Sequence, residues 1–188
     1  KPTLIQQALL HYERGICAED AFSAHGKRAF IMSHVLDMTG APIVLVSAVP
    51  VLRSMGYEVL VLGPSDGGSL HLFLDAGASV ITRSSCRNVS DAWGMALCAD
   101  FVIANTVVMA RAVRALSGTA VPVLWWLHDA FAGYPFIAHR IPKTLDSNVH
   151  VCAVGSHATA AMHSVRPDFN IEQLIYGLPD LSLIHISE

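Results

Sequence analysis

Short apolar runs, separated by polar turns, recur along the chain and predict a series of buried strands. Each run is four to seven residues long, which is typical of a parallel strand that is buried on both faces. The predicted strands cover residues 28–33, 57–62, 79–82, 101–104, 121–127, 149–154 and 172–176.

Segments with helical spacing of apolar residues lie between these runs. They predict helices over residues 4–14, 42–55, 70–76, 92–98, 107–116 and 156–165. Gly56 marks the end of the second helix, and Pro50 within it predicts a kink or a late start. Residues 130–145 are broken by glycine and proline and receive no assignment. Because strands and helices alternate, the predicted fold class is α/β, with a doubly wound, mostly parallel, Rossmann-like sheet.

Polar residues follow the predicted strands at their carboxyl ends, where parallel α/β sheets bind their ligands. We therefore expect the functional site among these strand-end positions, which are Ser33–His34, 64–66, Asn105–Thr106, His128–Asp129, 155–156 and Gly177.

The turn after the first of these strands predicts a binding site for phosphate. Thr39 can cap the following helix, Gly40 lets a ligand approach the backbone, and Pro42 suits the first helical turn. Free N–H groups at a helix start attract anions. The chain contains neither the Gly-x-Gly-x-x-Gly fingerprint of dinucleotide sites nor a Walker loop, so the turn predicts a phosphate site of another kind.

The run 121–129 delivers His128–Asp129 together at a strand end. A histidine there can bond a sugar hydroxyl or stabilise charge at a reacting centre; the alternative is that His128 only caps a loop backbone. His34 is equally compatible with a ligand contact and with loop packing, while Asn105–Thr106 is more typical of a helix cap than of a binding site. Trp125–Trp126 alternate between sheet faces, so at least one belongs to the core.

Composition narrows the function classes. At 188 residues, 53% hydrophobic and 14% charged, the chain suits one domain with a large core. The net charge of −3 gives no reason to expect nucleic acid, and Lys and Arg show no clustered basic face along the sequence. No apolar run approaches the roughly 20 residues of a membrane span. The cysteines (Cys17, Cys86, Cys98 and Cys152) are far apart, which predicts free thiols in a reducing compartment.

Several reaction chemistries are disfavoured by missing motifs. The chain has no Gly-x-Ser-x-Gly elbow, no His-Glu-x-x-His zinc motif and no Asp-x-Asp pair to hold a metal-bound diphosphate. Phosphate chemistry would then depend on helix dipoles and side chains. No obvious basic partner for a leaving phosphate is present, which suggests that half of the site lies outside this chain.

Together, five segments resemble a family 4 glycosyltransferase of the GT-B fold. They are Ile31-Met-Ser-His…Thr39-Gly-Ala-Pro, Gly56-Tyr-Glu-Val, Phe101-Val-Ile-Ala-Asn-Thr, Val123-Leu-Trp-Trp-Leu-His-Asp and Ile175-Tyr-Gly-Leu-Pro-Asp180. The resemblance covers residues 28–180 and implies the N-terminal, acceptor-side half of such an enzyme. It also implies a nucleotide-sugar donor bound mainly by a C-terminal domain, transfer with retention of anomeric configuration, and no metal or cofactor.

The resemblance assigns roles by position. Gly40, with Thr39 beside it, would lie near the donor diphosphate, and His128 would contact the transferred sugar as the catalytic residue. The other substrate-binding residues, on the acceptor side of the cleft, would be Ser33, His34, Asn105, Thr106 and Asp129. Residues 176–180 would enter the hinge to the second domain. The acceptor would be a glycan, a lipid or a protein.

The predicted organisation is an N-terminal helical extension over residues 1–27, the Rossmann-like domain over 28–180, and a non-native tail over 181–188. A genuine terminal strand is the alternative for that tail. Because the donor domain is missing, we expect the chain alone to be inactive. We expect the protein in the cytoplasm, and peripheral contact with a membrane is left open. The alternative functions are a non-catalytic carbohydrate- or nucleotide-binding module and a nucleotide-dependent oxidoreductase or epimerase. The absent glycine fingerprint disfavours the latter.

Overall fold

The computed structural model describes residues 14–16, 26–88 and 90–176. Its strands form one sheet in the order β1-β4-β3-β2-β5-β6-β7-β8. They are β1 Arg14–Ile16, β2 Lys27–Met32, β3 Tyr57–Gly63, β4 Ser79–Thr82, β5 Phe101–Asn105, β6 Val123–Leu127, β7 Val149–Ala153 and β8 Ile171–Gln173.

The sheet is parallel except for β1, which pairs with β4 in the antiparallel direction. Strand β2 lies in parallel between β3 and β5, so successive strands are added on one side of β2 and then on the other. This reversal creates a crevice at the carboxyl ends of β2 and β5, which is where doubly wound sheets bind ligands. The predicted fold class is therefore confirmed.

Five α-helices connect the strands: α1 Gly40–Ser54, α2 Leu70–Asp75, α3 Ala110–Leu116, α4 Tyr134–Ile137 and α5 Ser156–His163. 3₁₀ segments occupy Ser90–Cys98, Val107–Met109, Phe131–Gly133 and Ala138–Arg140. Helix α1 begins at Gly40 and continues through Pro50, so the late start that this proline suggested was wrong. Gly56, with φ of +85°, follows its end as predicted.

Two cores cover the two faces of the sheet, because successive residues of a strand point to opposite sides. Phe30 and Trp125 belong to the core beneath α3, whereas Ile31 and Trp126 belong to the core beneath α1. Trp125 is 0% and Trp126 is 5% exposed, so both tryptophans pack in the interior.

The N-terminal prediction needs correction. Arg14 was expected to end a helix, but it starts the edge strand β1, where its side chain forms an ion pair with Asp66. Lys27 belongs to β2 rather than to an extension. Residues 4–13, the tail 181–188 and the hinge residues 177–180 lie outside the described residues. Within the described part of the chain, Cys98 and Cys152 are free thiols, and no helix is long and apolar enough to cross a membrane.

Candidate functional site

Three segments meet at the crevice between β2 and β5. His34 lies two residues beyond β2, Asn105 ends β5 and Thr106 follows it, and His128 follows β6. His34 and His128 are close enough for the charge on one imidazole to affect the protonation of the other. The fold therefore brings together the strand-end residues that the sequence singled out.

The loop between β2 and α1 rests on a glycine-rich loop that follows β3. The carbonyl oxygen of Leu36 accepts two hydrogen bonds from Ser69, one from its N–H and one from its hydroxyl, each 2.8 Å long. A Cβ added to Gly67 would lie 2.3 Å from that oxygen, and one added to Gly63 would lie 2.5 Å from Leu36 Cγ. These glycines permit a close approach that seats the loop carrying His34. Residues 64–66 were predicted as ligand-site candidates. In the structure, the loop that contains them supports the neighbouring loop, which carries His34.

The start of α1 leaves backbone donors exposed. The first N–H within the helix to find a carbonyl is that of Ile43, which bonds to Thr39 at 3.2 Å. Pro42 has no N–H, so the unpaired donors of this turn are those of Gly40 and Ala41. A Cβ on Gly40 would meet no atom within 4 Å, so packing does not require glycine there. Thr39 occupies the N-cap position, but its side chain forms no capping hydrogen bond, contrary to expectation.

Ser33 fixes the loop from inside. It is fully buried, its N–H donates to the carbonyl of Leu62 at 2.8 Å, and its hydroxyl donates to the carbonyl of Val35 at 2.6 Å. The Ser33 hydroxyl therefore donates its proton to a carbonyl of the protein itself.

Thr106 is held in a strained conformation by three hydrogen bonds. Its N–H donates to the carbonyl of Trp126 and its own carbonyl accepts from the Trp125 indole, both at 2.8 Å. The next N–H, of Val107, donates to the carboxylate of Asp129 at 2.6 Å. Thr106 has φ of +71°, the one positive value among the described non-glycine residues. Such strain is costly for a β-branched residue and is characteristic of functional sites.

Several buried polar atoms at this edge of the sheet have no hydrogen-bond partner among the described residues. Asn105 is 0% exposed with both its amide oxygen and nitrogen unpaired, and Thr106 is 2% exposed with its hydroxyl unpaired. The predicted role of these two side chains as helix caps was therefore wrong. The other unpaired atoms of this edge are His34 Nδ1, Trp126 Nε1, His128 Nε2 and the Tyr134 hydroxyl. Buried polar groups normally have a partner, so this set suits a ligand rich in hydroxyls.

Aromatic rings flank His128. Its ring centroid lies 5.0 Å from that of Trp126 and 6.4 Å from that of Tyr176, and the Trp126 and Tyr176 rings are 6.3 Å apart. Apolar rings around a few polar groups are typical of small-molecule sites. Tyr176 was predicted as the end of the strand 172–176 and as a hinge residue, but the strand ends at Gln173; Tyr134 fell in the unassigned stretch.

Burial keeps both imidazoles neutral at pH 7. Burial and the charge of His34 lower the pKa of His128 to about 4. Burial and the charge of Arg87 lower the pKa of His34, against the opposite effect of Asp37. A neutral imidazole can both donate and accept hydrogen bonds. The electrostatics therefore favour a contact with a hydroxyl over charge stabilisation by an imidazolium.

The Asp129 carboxylate accepts hydrogen bonds from the backbone of the protein. Burial raises the pKa of its carboxyl group, and three backbone N–H groups, those of Val107, Asp129 and His128, act in the opposite direction. Burial and the charge of Asp129 together raise the pKa of Tyr134. Asp129 thus joins the end of β6 to the helical turn after β5 and fixes the segment that carries His128.

Arginines from distant parts of the chain converge near this edge. Nη1 of Arg111 lies 3.5 Å from the backbone oxygen of Asn88, and Nη1 of Arg140 lies 3.5 Å from its side-chain oxygen. Arg87 directly precedes Asn88 and acts electrostatically on His34. The expectation that Lys and Arg form no cluster was therefore wrong. No group of three His, Cys, Asp or Glu that could hold a metal ion occurs among the described residues.

Comparison with known proteins identifies the family. The model of glycosyl-transferase family 4 matches residues 25–188. No curated protein matches the chain. Among solved structures, Anabaena Alr3699/HepE in complex with UDP and glucose has a TM-score of 0.63 at 18% identity, over 82% of this chain and 45% of HepE. An α-glucosyltransferase in complex with UDP-glucose and DNA containing an abasic site has a TM-score of 0.47 at 11% identity, over 79% and 42% of the chains.

The likeness to HepE agrees with the predicted Rossmann-like half of a GT-B fold, and the chain spans less than half the length of HepE. The family match includes the whole crevice between β2 and β5. The chain belongs to glycosyltransferase family 4.

Proposed function

We propose that this chain is the acceptor-side half of a retaining glycosyltransferase that moves a hexose from a nucleotide sugar to a glycan, lipid or protein acceptor. The observation that carries the proposal is His128. Its imidazole is neutral and its Nε2 is unpaired. It lies beside Trp126 and Tyr176 at the crevice between β2 and β5. A second domain would supply most donor contacts, since the chain matches only 45% of the length of HepE.

Each part of the crevice receives a role in this proposal. His128 bonds a hydroxyl of the transferred sugar and holds its anomeric carbon near the acceptor. Asn105, Thr106 and His34 bond acceptor hydroxyls through their unpaired atoms. The N–H groups of Gly40 and Ala41 face the donor diphosphate, which a helix start stabilises. Asp129 and Ser33 act as positioning residues.

The proposed reaction needs no metal or cofactor, and the nucleotide sugar is a substrate. The bond between the anomeric carbon and the diphosphate oxygen breaks, a bond from the acceptor oxygen to that carbon forms, and the acceptor proton leaves with the nucleotide diphosphate. We place the reaction in the cytoplasm, where free thiols such as Cys98 and Cys152 stay reduced.

His128→Ala tests the assignment in an enzyme that contains both domains. We expect turnover to fall by about 100-fold or more, because a contact that orients the reacting sugar is lost. The thermal midpoint should change little, since Nε2 bonds nothing in the protein. His71→Ala, at an exposed position on α2, is the control. A large loss of stability with retained specific activity would assign His128 a purely structural role.

The 188-residue chain by itself should show little or no sugar transfer. Its crevice opens at one edge of a single sheet, and the diphosphate would meet only the start of α1. The measurement is transfer of radiolabelled hexose from a panel of nucleotide sugars by the purified chain. Transfer that depends on His128 would show that this half is sufficient.

A further inference from the structure

Arg87, Arg111 and Arg140 are here called the arginine cluster: Arg111 and Arg140 contact Asn88, and Arg87 directly precedes it in the chain. Two of the three guanidinium groups lie 3.5 Å from Asn88 oxygens, and the third belongs to the preceding residue. The cluster borders a groove of about 260 Å³, whose lining residues are Asn88, Trp93, Arg111, Arg114 and Ala115.

Within the part of the chain that the structure describes, Arg87, Arg111 and Arg140 form no ion pair with a carboxylate. Arg87, Arg111 and Arg140 are all half-buried. Charges that are partly removed from water interact more strongly with a ligand than fully solvated charges do. Among the described residues, the side-chain contacts of Arg111 and Arg140 are therefore the two Asn88 oxygens and His139 Nε2, and none of them is a carboxylate.

The cluster lies beside the proposed active site. Arg87 is in the loop after β4, Arg111 is on α3 after β5, and Arg140 follows the turns after β6. These segments all leave the carboxyl edge of the sheet, and Arg87 is near enough to act on His34. Helix α3 packs on the opposite face from α1, so the cluster is separate from the N–H groups at Gly40.

We propose that the arginine cluster binds the phosphate group of a phosphorylated acceptor whose sugar or polyol hydroxyls reach His34 and Asn105. The proposal rests on the function proposed above. A phosphate monoester carries close to two negative charges and accepts bidentate bonds from arginine. Three guanidinium groups carry more charge than one carboxylate balances, which favours phosphate over an acidic sugar. The separation from α1 favours the acceptor over the donor diphosphate.

The test is an NMR titration of the 188-residue chain, following arginine Nε–H and histidine ring signals. The probes are glucose 6-phosphate, glucose, inorganic phosphate, UDP and a short DNA duplex, with vesicles of phosphatidylinositol 4-phosphate in phosphatidylcholine for a lipid-borne phosphate monoester. We expect glucose 6-phosphate to bind at least about tenfold more tightly than glucose, and less tightly as salt increases. Binding to the vesicles in place of glucose 6-phosphate would assign the same phosphate chemistry to a lipid-linked acceptor.

Variants link the binding to the cluster. Arg111→Gln and Arg140→Gln should each weaken glucose 6-phosphate binding by about tenfold, whereas Arg→Lys at the same positions keeps the charge and should weaken it less. Arg28→Gln, at the amino end of β2, is the matched control and should bind as the parent does. Unchanged thermal midpoints would show that the variants fold.

The outcomes separate this inference from the function on which it rests. Equal affinity for glucose and its phosphate, or binding that ignores the arginine variants, would overturn the inference alone. Competition by UDP would assign the cluster to the donor, and tighter binding of a DNA duplex would assign it to nucleic acid; either result overturns it. Arginine shifts without any histidine shift would retain the phosphate site and contradict the proposed sugar site.

Discussion

The imidazole of His128 makes the stability of the fold sensitive to acid. Its pKa is about 4 in the folded chain and 6.5 when unperturbed. Between these values the unfolded chain binds more protons, so the free energy of unfolding falls as the pH is lowered from 6.5 to 4. We expect a loss on the order of 1–2 kcal/mol from His128, after allowing for the exposed part of its ring. The measurement is urea unfolding across this range.

His128→Gln is the variant that isolates this contribution, because glutamine does not titrate. The lowered pKa of His34 acts in the same direction, and the raised pKa of Asp129 acts in the opposite one. Both groups are present in parent and variant, so their contributions cancel in the difference between the two, except for the electrostatic coupling between His34 and His128. A constant difference from pH 7 to pH 4 would mean that His128 titrates normally in the folded chain.

At the residue scale, the sequence located the site better than it defined the roles within it. His34 and His128 follow apolar runs that are long enough to be recognised as strands, so their position at the sheet edge was predictable. The conformation of Thr106 was not, because it depends on a hydrogen bond from the Trp125 indole and on the acceptors offered by the Trp126 carbonyl and the Asp129 carboxylate. Only the parallel register brings these groups together. Nothing in the segment around Tyr134 indicates its contact with Asp129.

At the element scale, substitutions at two glycines distinguish a residue that supports the site from a residue that faces a ligand. Gly67→Ala would place a Cβ 2.3 Å from the Leu36 oxygen, whereas Gly40→Ala places it in open space. Moving backbone to relieve such a clash costs about 1–3 kcal/mol. We expect Gly67→Ala to lower the thermal midpoint and Gly40→Ala to leave it unchanged or slightly higher.

Gly40→Ala and Gly67→Ala can also be compared in an activity assay of the two-domain enzyme. Gly40→Ala should weaken nucleotide-sugar binding, because a methyl group then occupies the space in front of the first helical N–H groups. Reduced stability of Gly40→Ala would instead indicate that this glycine serves the fold. Full stability of Gly67→Ala would show that the loop carrying His34 moves freely.

Element boundaries in the sheet were predictable because strands buried on both faces have nearly continuous apolar sequences. The predicted run 57–62 and the observed Tyr57–Gly63 differ by one residue. Strand β1 was missed because it has three residues and pairs only along one edge, with β4. The arginine cluster was also missed, since its members are 24 and 29 residues apart in sequence, between Arg87 and Arg111 and between Arg111 and Arg140, and only the fold joins them.

At the scale of the whole molecule, burial predicts where the fold is most resistant to opening. Strand β2 is bonded on both sides and its last four residues are buried, whereas β8 is a three-residue edge strand with two exposed residues. Local opening is easiest where few apolar contacts must break. Native-state hydrogen exchange should therefore be slowest in β2, β5 and β6 and fastest in β1 and β8.

This order bears directly on function, because His34, Thr106 and His128 each follow one of the three most protected strands. A sugar that binds there should slow amide exchange in the loops after β2, β5 and β6 and leave exchange in the strands unchanged, since the strands already open only with global unfolding. Exchange measured with and without glucose 6-phosphate tests this. Slower exchange throughout the sheet would mean that the ligand stabilises the whole fold, and that the crevice is assembled on binding rather than held ready by the central strands.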